Sequence, residues 1–229
     1  MYSARERLVI LDVDGTAVDA FSAIDIAFAR SGMDIGNLER FQKRRKLFKY
    51  LGGLREFPVN LHKQFGKQSR KQLVARLTDV YREEAQLYPG VPELIRALLA
   101  ATDVRIGLVT RNVTNEPRTT LQQLFARHDI DLNAFDLVAC LGLGEDKKHS
   151  FKAMRERYVI NPARSFVCGD EFSDFAAAIA SGMHPLIVSY GFEDYHRLVK
   201  KFEVPEEVIS RTPAELCARL RNAMDLPLA

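Results

Sequence analysis

No stretch of this chain is apolar for anything like the ~18 residues that a membrane-crossing helix needs, and no charged-then-apolar leader precedes the first apolar run at Leu8. The expectation is a protein that stays in the cytoplasm and makes no use of a membrane. Cysteine is scarce. Cys140, Cys168 and Cys217 are odd in number, widely spaced and set mostly in apolar surroundings. That pattern suits neither a disulfide frame nor a zinc site, so they read as reduced core residues. No internal repeat or low-complexity tract is visible, and residues 17–87 hold no convincing strand pattern. Acidic charge is sparse in one place. Residues 37–76 carry twelve Lys and Arg against Glu39 and Glu56, a local net of +10, whereas the chain as a whole is +3 and the remainder therefore −7. A basic insert on an acidic body suggests an anionic substrate or partner beside it, although a solvated helix face gives the same count.

What is present suffices for one large domain or a domain with a sizeable insertion: 229 residues, 47% hydrophobic and 28% charged. The chain is organised around Leu8-Val9-Ile10-Leu11-Asp12-Val13-Asp14-Gly15-Thr16. Its apolar run is that of a strand buried on both faces. Unpaired charge enters a core only at high cost, so the chain must surface at Asp12. In an open parallel sheet, ligands bind where strands surface at their carboxyl ends.

Helical periodicity follows. Phe21, Ile24 and Phe28 form one stripe that stops at Ser31-Gly32, and Leu38, Phe41, Phe48 and Leu51 form a second. Residues 53–66 read as a loop, and Leu73, Leu77, Val80 or Tyr81 and Leu87-Tyr88 as a third helix. From Pro89-Gly90 onward helix and strand alternate. Strands are expected at 104–110, 135–141, 165–168, 185–189 and, briefly, 208–210; helices at 91–101, 117–127, 150–158, 172–181 and 213–223. Units of this size imply an α/β, doubly wound parallel sheet. Asp12 and Thr110 lie 98 residues apart, where a βαβ unit needs only ~30 or more. The surplus reads as a helical cap over residues 17–88, inserted after the first strand of a Rossmann-like core made of residues 1–16 and 89–229.

Four strand ends carry chemistry. Asp12 and Asp14 are carboxylates that can attack phosphorus, move protons or bind Mg²⁺, and Gly15 lets the backbone double back beside a phosphate. Thr110, followed by Arg111 and Asn112, offers a hydroxyl and backbone N–H groups for a phosphoryl oxygen. After residues 137–144 come two adjacent lysines, Lys147 and Lys148, either of which would offset negative charge. Gly169-Asp170 then closes a strand, and Asp174 follows four residues later. Asp174 reads equally as a helix N-cap.

In this order and spacing the four stretches resemble the signature motifs of the haloacid dehalogenase-like hydrolases, in particular the phosphoglycolate phosphatase-like branch with its small helical caps. The resemblance implies Asp12 as the nucleophile that becomes an aspartyl-phosphate, and Asp14 as the acid that protonates the leaving oxygen and then activates water. It implies Thr110 and a lysine as charge stabilisers, with Gly15, Arg111 and Asn112 toward the substrate. Asp12, Asp14 and Asp170 would hold Mg²⁺, with Asp174 in support. The motif register favours Lys147, yet the proline that often follows this lysine is replaced by Lys148, so the choice stays open. An Asp at position 14 speaks for ester hydrolysis or phosphoryl transfer and against the dehalogenase and phosphonate-cleaving branches. The implied substrate is a small anionic phosphorylated metabolite.

Rival readings are a phosphomutase using the same residues, a phosphate-binding regulator and a nucleic-acid binder. A signalling receiver domain would have an adjacent acidic pair and a shorter chain. Nucleic-acid binding through the basic insert lacks interleaved aromatics, because Phe41, Phe48 and Tyr50 fall on or beside the apolar stripe. Whether the chain pairs as a homodimer is left open.

Overall fold

The computed structural model describes residues 2, 6–32, 51 and 70–227. The stripe expected at Leu38, Phe41 and Phe48 and the loop expected over residues 53–66 lie outside them; Leu51 is buried.

Six strands, β1 (Arg7–Leu11), β2 (Val104–Thr110), β3 (Leu137–Cys140), β4 (Ser165–Gly169), β5 (His184–Val188) and β6 (Ile209–Ser210), make one sheet in the order β3-β2-β1-β4-β5-β6. Every pair is parallel. The apolar run at 8–11 explains why β1 is central. Val9 and Leu11 point into one hydrophobic layer and Leu8 and Ile10 into the other, as the two-residue period of a strand requires. All four are essentially inaccessible, and burying a side chain of this kind is worth roughly 1.5–3 kcal/mol.

Seven α-helices are described: α1 (Ala20–Ala29), α2 (Arg70–Glu83), α3 (Val91–Ala100), α4 (Pro117–Ala126), α5 (Lys147–Arg157), α6 (Phe172–Ala180) and α7 (Pro213–Ala223). Phe151 and Met154 of α5 and Ala177 and Ala178 of α6 cover one face of the sheet. Leu94 and Leu98 of α3, Leu121 and Leu124 of α4 and Leu216 and Leu220 of α7 cover the other, so the sheet is doubly wound as expected.

The departures from the expected boundaries have physical causes. Helix α5 starts at Lys147, a turn before the expected 150, because Asp146 caps it by accepting the Lys148 N–H. The third expected helix stops at Glu83. Leu87 instead bridges Val18 antiparallel, while Asp19 N–H donates to the Gln86 carbonyl and Tyr88 N–H to the Ala17 carbonyl, both at 2.9 Å. The two segments flanking 20–85 therefore run side by side. Strand β3 is shorter than the expected 135–141 because Phe135 ends a 3-10 turn (Leu132–Ala134) and packs edge-on against Phe125.

Strand order reverses around β1: β2 and β3 lie to one side, and the chain then crosses to β4 on the other. The crevice at the carboxyl ends of β2, β1 and β4 is thus the topological switch point, where doubly wound sheets bind ligands.

Candidate active site

Asp12, Thr110 and Asp170 stand at that crevice because β1, β2 and β4 end there. The loop after β1 folds back at once. Ala17 and Val18 N–H both return to the Val13 carbonyl, at 2.9 and 2.8 Å, and Gly15 takes φ +82°. A Cβ on Gly15 would lie 2.4 Å from an Asp170 carboxylate oxygen, so only glycine fits this turn.

Lys147, first residue of α5, reaches Asp12 Oδ2 at 2.8 Å and Asp174 Oδ1 at 2.7 Å. It is 2% exposed, whereas the Lys148 side chain is 47% exposed and pairs with Asp146 at 3.0 Å. The helix start at 147 turns one lysine inward and leaves its neighbour in solvent. Asp174, in the first turn of α6, also accepts the Glu171 N–H at 3.1 Å, so it braces both the lysine and its own helix.

Asp170 accepts the Phe192 N–H through Oδ2 at 2.5 Å, while its Oδ1 is buried with no hydrogen-bond partner among the described residues. Ligand oxygens of Asp12, Asp170 and Asp174 lie within 4.8 Å of one another. Three buried carboxylates against one lysine leave the cluster short of positive charge. Burial first, and then the neighbouring carboxylates, push Asp12 up to about 7 despite the pull of Lys147. The same causes hold Asp170 well above the usual carboxylate range. Burial works against the Lys147 ammonium, but Asp12 and Asp174 outweigh it and raise its pKa above the usual lysine range. A buried carboxylate oxygen without a hydrogen bond among the described residues, in a cluster of three carboxylates, fits a hard divalent cation. The expected ligand set was Asp12, Asp14 and Asp170. The Asp14 side chain is not in the cluster; Asp174 is.

Asp14 turns the other way. Its carboxylate accepts from Tyr81 Oη at 2.6 Å, from Asn112 Nδ2 at 3.0 Å to each oxygen, and more distantly from Thr110 Oγ1 at 3.4 Å. Burial raises its pKa, and these hydrogen bonds oppose the shift. Asn112 is held in turn by the Thr114 N–H, donating to its Oδ1 at 3.0 Å. Asn112, expected toward substrate, and Thr110, expected to hold a phosphoryl oxygen, thus contact Asp14. Arg111 donates to the Glu145 carbonyl at 3.2 Å and lines a cleft of about 450 Å³ with Gly144, Lys148 and Ser173. None of the aspartates at 12, 14, 170 or 174 lines that cleft.

Two contributors escaped the sequence reading. Tyr81 looked like one more apolar position of a helical stripe. The segment after β5 carried no motif, yet Gly191 lies so near Asp170 that a Cβ there would sit 2.4 Å from the aspartate Cβ and 2.5 Å from the Gly15 carbonyl. The Gly191-Phe192 pair was its only available signal. Cys140, Cys168 and Cys217 are free thiols; burial pushes Cys168 up and keeps it an unreactive core group.

A family profile described as haloacid dehalogenase-like hydrolase matches residues 6–182, most of the chain and all four stretches above. The chain belongs to this family. It is therefore a hydrolase of the haloacid dehalogenase-like type. It is similar to a phosphoglycolate phosphatase of Nitrosospira multiformis, 27% identical over 82% of this chain and 85% of that one. A phosphoglycolate phosphatase of Aquifex aeolicus is 24% identical over 94% of this chain and 97% of its own. A solved haloacid dehalogenase-like family protein from Streptococcus pneumoniae superimposes with a TM-score of 0.60 at 18% identity, covering 95% of this chain and all of that one, and shares the fold. No helix among the described residues is long and apolar enough to cross a membrane.

Proposed function

We propose that the protein is a Mg²⁺-dependent phosphatase that hydrolyses a small phosphate monoester through an aspartyl-phosphate on Asp12. The observation that carries this is the placement of Asp12. It directly follows the central strand, is paired at 2.8 Å with a buried lysine, and shares a carboxylate cluster with Asp170, whose Oδ1 has no hydrogen-bond partner among the described residues.

Asp12 and Asp170, with Asp174 beside them, would hold the metal, which when bound would supply positive charge against the negative charge of the carboxylates and the phosphoryl group. The Asp12 carboxylate attacks phosphorus and the ester oxygen leaves. Lys147 orients Asp12 and favours its ionised form, and it stabilises the charge that grows on the transferring group. Asp14 protonates the leaving oxygen. Once the alcohol has gone, the same carboxylate takes a proton from the water that attacks the acyl-phosphate. Buried Asn112 donates to both oxygens of Asp14 and holds it for both transfers.

Residues 17–88 form the cap in this reading, its two ends held side by side where Asp19 N–H donates to the Gln86 carbonyl and Tyr88 N–H to the Ala17 carbonyl. The similarity to phosphoglycolate phosphatases and the +10 charge over residues 37–76 support a substrate that is itself an anion beyond its phosphate. The test is hydrolysis of 4-nitrophenyl phosphate and of 2-phosphoglycolate, with Mg²⁺ and with EDTA. Turnover that needs Mg²⁺ and is faster in kcat/KM on phosphoglycolate is expected. Turnover unchanged by EDTA contradicts the metal reading.

A further inference from the structure

Helix α2 presents Thr78, Tyr81 and Arg82 on one side, at the i, i+3, i+4 spacing that puts side chains on a common face. Each engages the catalytic end of the sheet. Thr78 Oγ1 accepts the Asn115 N–H at 2.8 Å. Arg82 donates to Glu116 Oε2 at 3.0 Å and to Thr120 Oγ1 at 3.1 Å. Between them, Tyr81 Oη donates to Asp14 Oδ1 at 2.6 Å. The helix therefore grips the loop after β2, which carries Asn112, and the carboxylate that Asn112 holds.

Packing alone would be served by phenylalanine. Tyr81 is completely buried, and a buried hydroxyl without a partner is costly, so tyrosine is explained only by what its oxygen touches. That partner is Asp14, 67 residues away in the chain. Without the phenol, Asp14 keeps Asn112 and the 3.4 Å contact to Thr110, and its carboxyl group is free to turn about its own Cβ–Cγ bond.

We propose that Tyr81 is a positioning residue for Asp14: through one hydrogen bond, the helix that closes the 20–85 segment sets the carboxyl group that moves protons in the reaction. This rests on the reading of Asp14 as acid and base given above. The step concerned is the first one. As the P–O bond to the leaving group breaks, the electron pair stays on the leaving oxygen, and the proton on Asp14 passes to it. A more basic leaving oxygen depends more on that proton arriving in register.

Tyr81→Phe keeps the ring and removes the donor. The probes are phenyl phosphate and 4-nitrophenyl phosphate, close in shape but with phenolate leaving groups of high and low basicity, assayed with Mg²⁺ in the full chain. Since general acid catalysis contributes about 10²–10⁴-fold, partial loss of positioning is expected to lower kcat/KM for phenyl phosphate about tenfold. The fall for 4-nitrophenyl phosphate should be no more than about threefold. The ratio between the two substrates does not depend on how much of the variant is folded, so it stays informative if Tyr81→Phe is less stable. Asp14→Asn in the same assay separates the two layers of the argument. If Asp14→Asn widens the gap between substrates and Tyr81→Phe does not, or if Tyr81→Phe loses equally on both, matches wild type or gains activity, the inference about Tyr81 is wrong. If Asp14→Asn leaves the gap unchanged, the reading of Asp14 itself fails.

Discussion

Asp12 and Asp14 are two residues apart on one turn, yet their surroundings are opposite in kind. Asp12 faces charge: the Lys147 ammonium and two further carboxylates, one of them Asp170, whose Oδ1 has no hydrogen-bond partner among the described residues. Asp14 faces β2 and neutral donors, a phenol, an amide and a hydroxyl. The physical lesson is that a carboxylate which must work as an anion sits in a cluster that one lysine leaves short of positive charge and that a divalent cation would complete. One that must gain and lose a proton is held by groups that carry no charge of their own. The division arises in the turn after β1, where the Ala17 and Val18 N–H groups fold back on the Val13 carbonyl and the two side chains leave in different directions.

The largest expected effect breaks the charged half. Lys147→Ala should lower kcat roughly 10²-fold or more by removing charge stabilisation made in the transition state. Lys148→Ala, at an exposed side chain paired only with Asp146, should change kcat little. Steady-state kinetics on any aryl phosphate decides this, and the reverse ranking would move the charge-stabilising role one residue along the helix.

Next comes the close packing that makes the charged half possible. Gly191→Ala puts a methyl group 2.4 Å from Asp170 Cβ and 2.5 Å from the Gly15 carbonyl. Overpacking of this kind costs about 1–3 kcal/mol. A lower Tm, with weaker Mg²⁺ activation than wild type, is the expected outcome; an unchanged Mg²⁺ dependence would detach the loop after β5 from the metal site.

A gentler test sharpens the comparison without mutation. The folded-state pKa of Asp12 is raised from 3.8 to about 7, and Asp14 and Asp170 are raised as well. A carboxyl raised on folding contributes stability that is fully present below its unfolded pKa and is lost as pH rises through the folded one. For Asp12 that window runs from about 4 to about 7. The metal-free protein should therefore lose thermal stability across that range. Mg²⁺ should restore it, with a larger Tm rise at pH 8 than at pH 5.5, read by scanning calorimetry. An equal rise at both pH values would contradict the charged, metal-seeking character of this half.

The smallest expected effect concerns Arg44, Arg45, Lys49 and Arg55, which lie outside the described residues. Neutralising all four should raise KM for 2-phosphoglycolate by about tenfold, the lower end of one charge-assisted contact's worth, and spare 4-nitrophenyl phosphate.

The charged half was largely legible in the sequence, and the neutral half was not. Asp12 and Asp170 could be found because each interrupts an apolar run at a strand end, where only function tolerates charge. Asp14 was found by the same signal, but its partner Tyr81 was hidden. An aromatic at helical spacing looks like core, and here it is both core and donor. The start of α5 was misjudged because Lys147, Lys148 and His149 show no apolar face; the periodicity begins only at Phe151, although Asp146 was a readable cap. Gly191 had no motif around it, since its importance lies in a distance to Asp170 that no local pattern encodes. The exchange of Asp14 for Asp174 in the carboxylate cluster likewise depends on side-chain direction, which spacing alone does not specify.

The central claim is that phosphorus is attacked by Asp12. Acid-quenching the enzyme during turnover of phenyl phosphate with Mg²⁺, followed by borohydride reduction and peptide mass spectrometry, reads this directly. An acyl-phosphate is reduced to an alcohol, so the account predicts the reduced side chain at position 12 alone. It should be absent without substrate and absent in Asp12→Asn, which should also have lost turnover. Reduction at another carboxylate, or turnover that persists in Asp12→Asn, would contradict it.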